Sequence, residues 1–143
     1  IHPGMPKDGP DRRFMAMPAY LGGEYRVCGC KWYGSNIENI EKELPRSILM
    51  MTLNDVDTGA PLAFQSANLL SAWRTGAIPG VGAKYLANPD SKVFATVGAG
   101  SIGTSSAEAI IDVCENLEVV KIYDVCRSTA EALKERLEKE FRS

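Results

Sequence analysis

The run Val93-Phe94-Ala95-Thr96-Val97-Gly98-Ala99-Gly100-Ser101-Ile102-Gly103 constrains the fold of this chain more than any other. A short apolar strand passes straight into Gly-x-Gly-x-x-Gly. A helical stretch follows, then a second apolar run, Val119-Val120-Lys121-Ile122-Tyr123, ending in Asp124. The glycine pattern alone is weak evidence. With a strand before it, a helix after it and an acid about 20 residues beyond its last glycine, it has the full context of a dinucleotide-binding turn. Gly98 permits the tight exit from the strand, Gly100 lets the backbone approach a pyrophosphate, and Gly103 lets the helix pack close to the strand. The amides of Ser101 and Ile102 then sit at a helix N-terminus, where the dipole favours an anion. Asp124 is positioned to accept the hydroxyls of an adenosine ribose. Its charge repels a 2′-phosphate and favours NAD over NADP, although Arg127 close by is a cation that suits such a phosphate. FAD, and a glycine turn that only packs a βαβ unit, are the competing readings.

The remaining elements are read around that unit. Ser128 to Phe141 is a helix with the apolar stripe Ala130, Leu133, Leu137 and Phe141, and with Glu135–Lys139 and Glu138–Arg142 as i, i+4 pairs on its wet face. Upstream, Ser66 to Ala87 reads as a long helix. Leu69, Leu70, Trp73, Ala77, Val81 and Leu86 recur at helical spacing, and Ser66 or Asn68 serves as its cap. Gly76, Pro79, Gly80 and Gly82 weaken or kink it. Before it, Arg12 to Ala19, Glu24 to Tyr33, Arg46 to Asn54 and Pro61 to Gln65 read as strands. Leu21-Gly22-Gly23 and Asp57-Thr58-Gly59 read as turns, and Gly34-Ser35-Asn36 as a break. Short connections between neighbouring strands imply antiparallel or mixed pairing. The expected fold class is α/β: a mixed or antiparallel sheet domain over 1–88, with a linking helix over 66–87, and the first half of a Rossmann-type domain over 89–143. Residues 1–10 read as loop.

Composition narrows the functions. With 45% hydrophobic and 24% charged residues the chain is globular, and a formal charge of −2 gives no electrostatic footprint for nucleic acid or an acidic membrane. No apolar run is long enough for a membrane span, and no basic-then-apolar leader is seen. The four cysteines, Cys28, Cys30, Cys114 and Cys126, lie far from the single histidine, His2, so no metal site is expected. Reduced thiols packed in a core, in the cytoplasm, are the expectation.

The first half offers cations rather than a Ser/His/Asp set: Arg12, Arg13, Lys31, Arg46, Arg74 and Lys84. Lys31 lies among Cys30, Trp32 and Tyr33, and Arg74 beside Trp73. A cation in such a setting either snorkels to water or holds an anion.

Met17-Pro18-Ala19-Tyr20, Gly29-Cys30-Lys31-Trp32-Tyr33 with Asn36 and Asn39, Leu53-Asn54-Asp55 with Thr58-Gly59-Ala60-Pro61-Leu62, Arg74-Thr75-Gly76-Ala77, Lys84-Tyr85-Leu86-Ala87 and Val97-Gly98-Ala99-Gly100 follow one another in an order that closely resembles the ornithine cyclodeaminase and mu-crystallin family. The resemblance runs from about Asp11 to Arg127. It implies a sheet domain that binds a small amino-acid substrate and forms a homodimer, joined to a Rossmann domain that binds NAD. It implies that Lys31 is catalytic and contacts the substrate carboxylate, that Arg74 lies near both cofactor and carboxylate, and that Arg46 lies at the nicotinamide side. Ser101 and Ile102 then touch the pyrophosphate, and Asp124 holds the ribose. A further substrate-binding arginine is expected upstream of the Met-Pro block. Arg13 is assigned that role, with Arg12 adjacent and His2 closer to the usual spacing.

The family's members are more than twice this length. The resemblance therefore implies a fragment that lacks the rest of the Rossmann sheet and the acid that handles the substrate amine, and that is inactive alone. The implied reaction converts ornithine to proline and ammonia with a borrowed and returned hydride. The alternatives within the resemblance are an amino-acid or opine dehydrogenase, a ketimine reductase, and a non-catalytic binder of a small ligand and NADPH.

Overall fold

A computed structural model describes residues 11–141. The chain forms two compact units, one up to Ser71 and the other from Ala72 onward.

The first unit is a four-stranded meander. Strands β1 (Arg12–Leu21), β2 (Val27–Asn36), β3 (Ser47–Asp55) and β4 (Pro61–Ser66) pair in chain order, every neighbour antiparallel. Of the two pairings expected, the purely antiparallel one is found. Pro18 is accommodated because β1 is an edge strand and its missing N–H breaks no inner ladder. The β3–β4 turn is held by Asp55, whose carboxylate accepts from the Thr58 amide at 2.8 Å and the Thr58 hydroxyl at 2.6 Å. Gly59 takes φ +72° there, a conformation that glycine adopts without a Cβ clash.

Two local expectations are corrected in this unit. Gly34-Ser35-Asn36 does not break β2; the strand runs through it, with Gly34 opposite Phe14 and Ile48. The Phe14 ring lies where a side chain on Gly34 would be, 3.4 Å from an ideal Cβ, so the aromatic covers the bare backbone. The polar stretch that follows is a short 3-10 helix, Ile37–Lys42, started by the Asn36 side chain accepting from the Glu38 amide at 3.1 Å.

The cysteines are corrected as well. All four are free, but Cys28 and Cys126 are exposed and Cys30 and Cys114 only half-buried. Cys28 and Cys30 alternate onto the sheet face of Trp32, and that face is open: Trp32 is 46% and Phe64 70% exposed.

The second unit contains nearly all of α1 (Asn68–Leu86), then β5 (Val93–Val97), α2 (Ser101–Val113), β6 (Val119–Tyr123) and α3 (Arg127–Phe141). β5 and β6 are parallel, from Val93 opposite Val119 to Val97 opposite Tyr123. Ala99, Ala107, Leu133 and Leu137 form the core, with Phe94, Ile111, Val120 and Ile122 packed against it. The stripe expected on α3 is thus buried at Leu133 and Leu137, while Phe141 is half-exposed. Ion pairs on α3 join Arg127 to Glu131 at 2.8 Å and Arg136 to Glu140 at 3.3 Å. Arg136 also reaches Glu108 on α2 at 2.6 Å. Arg142, expected to pair with Glu138, lies outside the described residues, as does His2.

Helix α1 runs on through Pro79. A Cβ on Gly76 would stand 2.5 Å from Ser105, and one on Gly80 would stand 2.8 Å from Ala109. These glycines therefore let α1 approach α2 more closely than any side chain permits. That packing joins α1 to the nucleotide-type unit, and the compact units meet at Ser71/Ala72 rather than near residue 88. Asn68 is not a cap. Its side chain accepts from the Leu49 amide and donates to the Ser47 carbonyl, both at 2.8 Å, extending the hydrogen bonding along β3 beyond the start of the helix.

Among the described residues no helix is long and apolar enough to cross a membrane, and no group of side chains is arranged to hold a metal ion.

Candidate nucleotide and substrate sites

The glycine turn leaves β5 through Gly98 at φ +99°, whose amide donates to the Tyr123 carbonyl at 2.8 Å. Any other residue is strained at that angle. Gly100 precedes α2 in an extended conformation and offers no side-chain cap. The first amides of α2, at Ser101 and Ile102, are thus left without the side-chain acceptor that usually satisfies a helix start. A Cβ on Gly100 would meet nothing within 4 Å, so the space in front of the turn is open. A Cβ on Gly103 would collide with the Gly98 carbonyl oxygen, which is the close helix-to-strand packing the motif requires.

Asp124 ends β6 and reaches back to the turn. Its Oδ2 accepts from the Ala99 amide at 2.7 Å, and its Oδ1 accepts from the Cys126 amide at 2.8 Å. Those two backbone donors, Ala99 first, hold its carboxyl below the ordinary aspartate value. Each oxygen keeps a lone pair for a further donor. Beside it, Cys126 lies 3.1 Å from the Ser128 hydroxyl. Hydrogen bonds from Ser128 and then Thr129 bring its thiol down to about 7.

In the first unit Lys31 sits mid-strand on β2, opposite Met17 and Met51. Its half-buried ammonium donates to the Ser71 hydroxyl at 3.4 Å and has no carboxylate partner among the described residues. Tyr33, two residues on, shares its face of the sheet. The Tyr33 oxygen lies 3.1 Å from the Ser47 hydroxyl, which donates to it. Hydrogen bonds from Ser35 and Ser47, with smaller effects from the charges of Arg46 and Arg13, hold the Tyr33 phenol below its ordinary value. Arg13 is engaged at both ends of one carboxylate, with Nε 2.9 Å and Nη2 2.8 Å from the two oxygens of Asp11. Arg46 immediately precedes β3 and is exposed, and its guanidinium has no ion-pair partner among the described residues.

The predicted residues therefore fall into two groups. Lys31, Arg13 and Arg46 lie on the sheet unit. Gly98, Gly100, Ser101, Ile102, Gly103, Asp124 and the exposed Arg74 on α1 lie on the other unit. Sequence reasoning missed Tyr33 and Ser47. Tyr33 was within reach, because strand alternation puts it on the face of Lys31. Ser47 needed the β2–β3 register.

A cation-bearing antiparallel sheet followed by a strand, glycine turn, helix, strand and anchored acid defines a protein with a nucleotide-type βαβ unit preceded by a separate four-stranded sheet. Residues 3–142 match the family model described as the Ornithine cyclodeaminase/mu-crystallin family, and the chain belongs to that family. It is 42% identical to the alanine dehydrogenase of Archaeoglobus fulgidus, over 80% of this chain and 34% of that protein. It is 35% identical to the N-((2S)-2-amino-2-carboxyethyl)-L-glutamate dehydrogenase of Staphylococcus aureus, over 78% of this chain and 34% of that one. An ornithine cyclodeaminase from Agrobacterium fabrum is 31% identical over 76% of the chain and 30% of its own length. Among solved structures, the Thermococcus litoralis Δ1-pyrroline-2-carboxylate reductase in complex with NADH and L-proline superposes with TM-score 0.78 at 31% identity, over 90% of this chain and 42% of that one. The chain thus spans about a third of the length of the curated relatives it matches.

Proposed function

We propose that the complete protein is an NAD-dependent oxidoreductase acting at the carbon–nitrogen bond of a small amino or imino acid. The observation that carries this reading is Lys31: a half-buried ammonium without a carboxylate among the described residues, on a sheet that leads in sequence to an Asp124-anchored glycine turn. A cation so placed is stabilised by an anionic ligand.

The residues present fit the cofactor. The open space at Gly100 and the uncapped start of α2 suit a pyrophosphate held by the Ser101 and Ile102 amides. The spare lone pairs of Asp124 suit ribose hydroxyls. Arg74 and Arg46 are the further cofactor contacts that the family resemblance suggests. NAD, when bound, supplies the hydride acceptor or donor at the substrate carbon that carries nitrogen. The chain's own part is binding and orientation. Lys31 gives one N–H to Ser71 and keeps two donors for the substrate carboxylate, which fixes the reacting carbon. Arg13 was the expected second carboxylate ligand, but its two contacts to Asp11 make it a poor candidate for that role.

The alternative is an ornithine cyclodeaminase, favoured by the likeness to the Agrobacterium fabrum enzyme. The dehydrogenase relatives are the more similar, at 42% and 35% identity against 31%, and that supports the first reading. The open sheet face with Trp32 and Phe64 supports a homodimer built through the sheet, and four free thiols support a reducing compartment such as the cytoplasm.

The test is turnover by the complete protein. Consumption of NADH in proportion to the amino acid formed from a 2-oxo acid and ammonia supports the reading. Release of proline and ammonia from ornithine with only catalytic NAD overturns it in favour of the cyclodeaminase. Nucleotide binding without any turnover leaves a non-catalytic binder.

A further inference from the structure

Close to Asp124 stands an ion pair that does little for the helix carrying it. Arg127 is the first residue of α3, and the Asp124–Cys126 hydrogen bond draws together the short turn before it. Its side chain is 92% exposed. Its Nε donates to Glu131 at 2.8 Å, one helical turn on. A cation in the first turn opposes the helix dipole, and the first turn of α3 holds no acid to offset it. Arginine four residues before glutamate is also the weaker order for such a pair. An exposed pair of either order adds little to stability. The fold therefore gains almost nothing from Arg127 and Glu131 standing where they do.

The pair matters for what can sit beside Asp124. In the proposed function this acid holds ribose hydroxyls. The two nicotinamide cofactors differ at that ribose: NADPH carries a phosphate of nearly two negative charges where NADH carries a neutral hydroxyl. A free arginine so near offsets the charge of Asp124 and suits the phosphate. Glu131 removes that compensation, because it engages the guanidinium and adds a second carboxylate. Asp124, Arg127 and Glu131 together leave one negative charge where Asp124 and Arg127 alone leave none. The Ser128 hydroxyl, the next polar group along, is engaged with the Cys126 sulfur at 3.1 Å.

We infer that Glu131 is a positioning residue for cofactor choice: by holding Arg127 it denies the 2′-phosphate of NADPH a cation and keeps the site for NADH. Glu131 acts through Arg127 and needs no contact with the nucleotide. This rests on the nucleotide site of the proposed function and assigns part of its selectivity to a residue beyond the glycine turn and the acid.

The experiment titrates the complete protein with NADH and with NADPH, followed by nucleotide fluorescence. Glu131→Gln is expected to tighten NADPH about threefold to tenfold, the scale of exposed charges acting on a phosphate in water. NADH affinity is expected to stay within about twofold, because its ribose hydroxyl carries no charge. The gain should shrink at high salt, where exposed charges are screened. It should also vanish when Arg127→Gln is added to Glu131→Gln, since the two substitutions then act on one interaction. A gain that survives the loss of Arg127, or one shared equally by both nucleotides, overturns the inference. NADH binding with an unmoved NADPH affinity overturns it alone and leaves the nucleotide site standing. Binding of neither nucleotide by the unsubstituted protein overturns both.

Discussion

The carboxylate of Asp124 accepts a hydrogen bond from the amide of Ala99 at 2.7 Å, tying the end of β6 to the glycine turn. One acid thus shapes the turn, and in the proposed function the same acid holds the nucleotide's ribose. Asp124→Asn keeps the shape but sets an NH2 group against the Ala99 or the Cys126 amide. NADH affinity is expected to fall about tenfold, the worth of one charged hydrogen bond, read by fluorescence titration. The carboxyl is held below its ordinary value of 3.8, so its contribution to stability is present above that pH and is lost as pH falls further. Wild type and Asp124→Asn should therefore differ in denaturation midpoint at neutral pH and converge in acid. A constant difference down to pH 2 refutes the assignment.

Two glycines on one helix should respond in opposite directions. Gly76→Ala puts a methyl 2.5 Å from the backbone of Ser105 and forces α1 and α2 apart. A loss of about 1–3 kcal/mol is expected, as for an overpacked contact. Gly82 has nothing within 4 Å of its Cβ position, so Gly82→Ala should gain about 0.5–1 kcal/mol through backbone entropy. Urea denaturation of both variants measures the pair, and equal effects would refute the close approach at Gly76.

Asn68 satisfies two backbone groups of β3. Asn68→Ala orphans the amide of Leu49, a residue only 4% exposed, and the Ser47 carbonyl. A loss of about 1–3 kcal/mol is expected. Asn68→Asp should fare no better, since a carboxylate cannot donate to the Ser47 carbonyl. If Asn68→Ser proves fully stable, water replaces the side chain and the account is wrong.

Lys31→Ala should abolish turnover by the complete protein and leave NADH affinity within about twofold, because a lost ligand to the substrate carboxylate is a substrate effect. A large loss of NADH affinity would reassign Lys31 to the cofactor or the fold.

Cys126 should be the most reactive thiol. It is exposed, and its thiol sits at about 7, so the thiolate fraction rises through neutral pH. Alkylation by iodoacetamide, mapped by mass spectrometry, should reach half its limiting rate near pH 7. Cys126→Ser should remove the fast phase. A fast phase that survives belongs to another cysteine.

The strands and helices with strong periodic or apolar runs were legible, because a run such as Ile48 to Leu53 or Val93 to Val97 needs only its own residues to declare itself. The glycine turn was legible because its backbone demands are local. What escaped depends on partners distant in sequence. Gly34 reads as a breaker until Phe14 is set across from it. Gly76 and Gly80 read as weak points in a helix until Ser105 and Ala109 are set against them. Asn68 reads as a cap until the β3 backbone is beside it. The same holds in the site for Ser47, which is silent until register brings it to Tyr33; Arg13 differs, because Asp11, which grips it, stands only two residues away.

The meander also bears on how the chain reaches its fold. Each of its four strands pairs with its neighbour in sequence, so the sheet assembles by successive hairpins that close short loops. The parallel β5–β6 pair has to close a loop containing all of α2 before its first ladder bond forms. Local pairing is quick and crossover pairing slow, so the four-stranded sheet should emerge first, and the glycine turn should take shape as the later kinetic event.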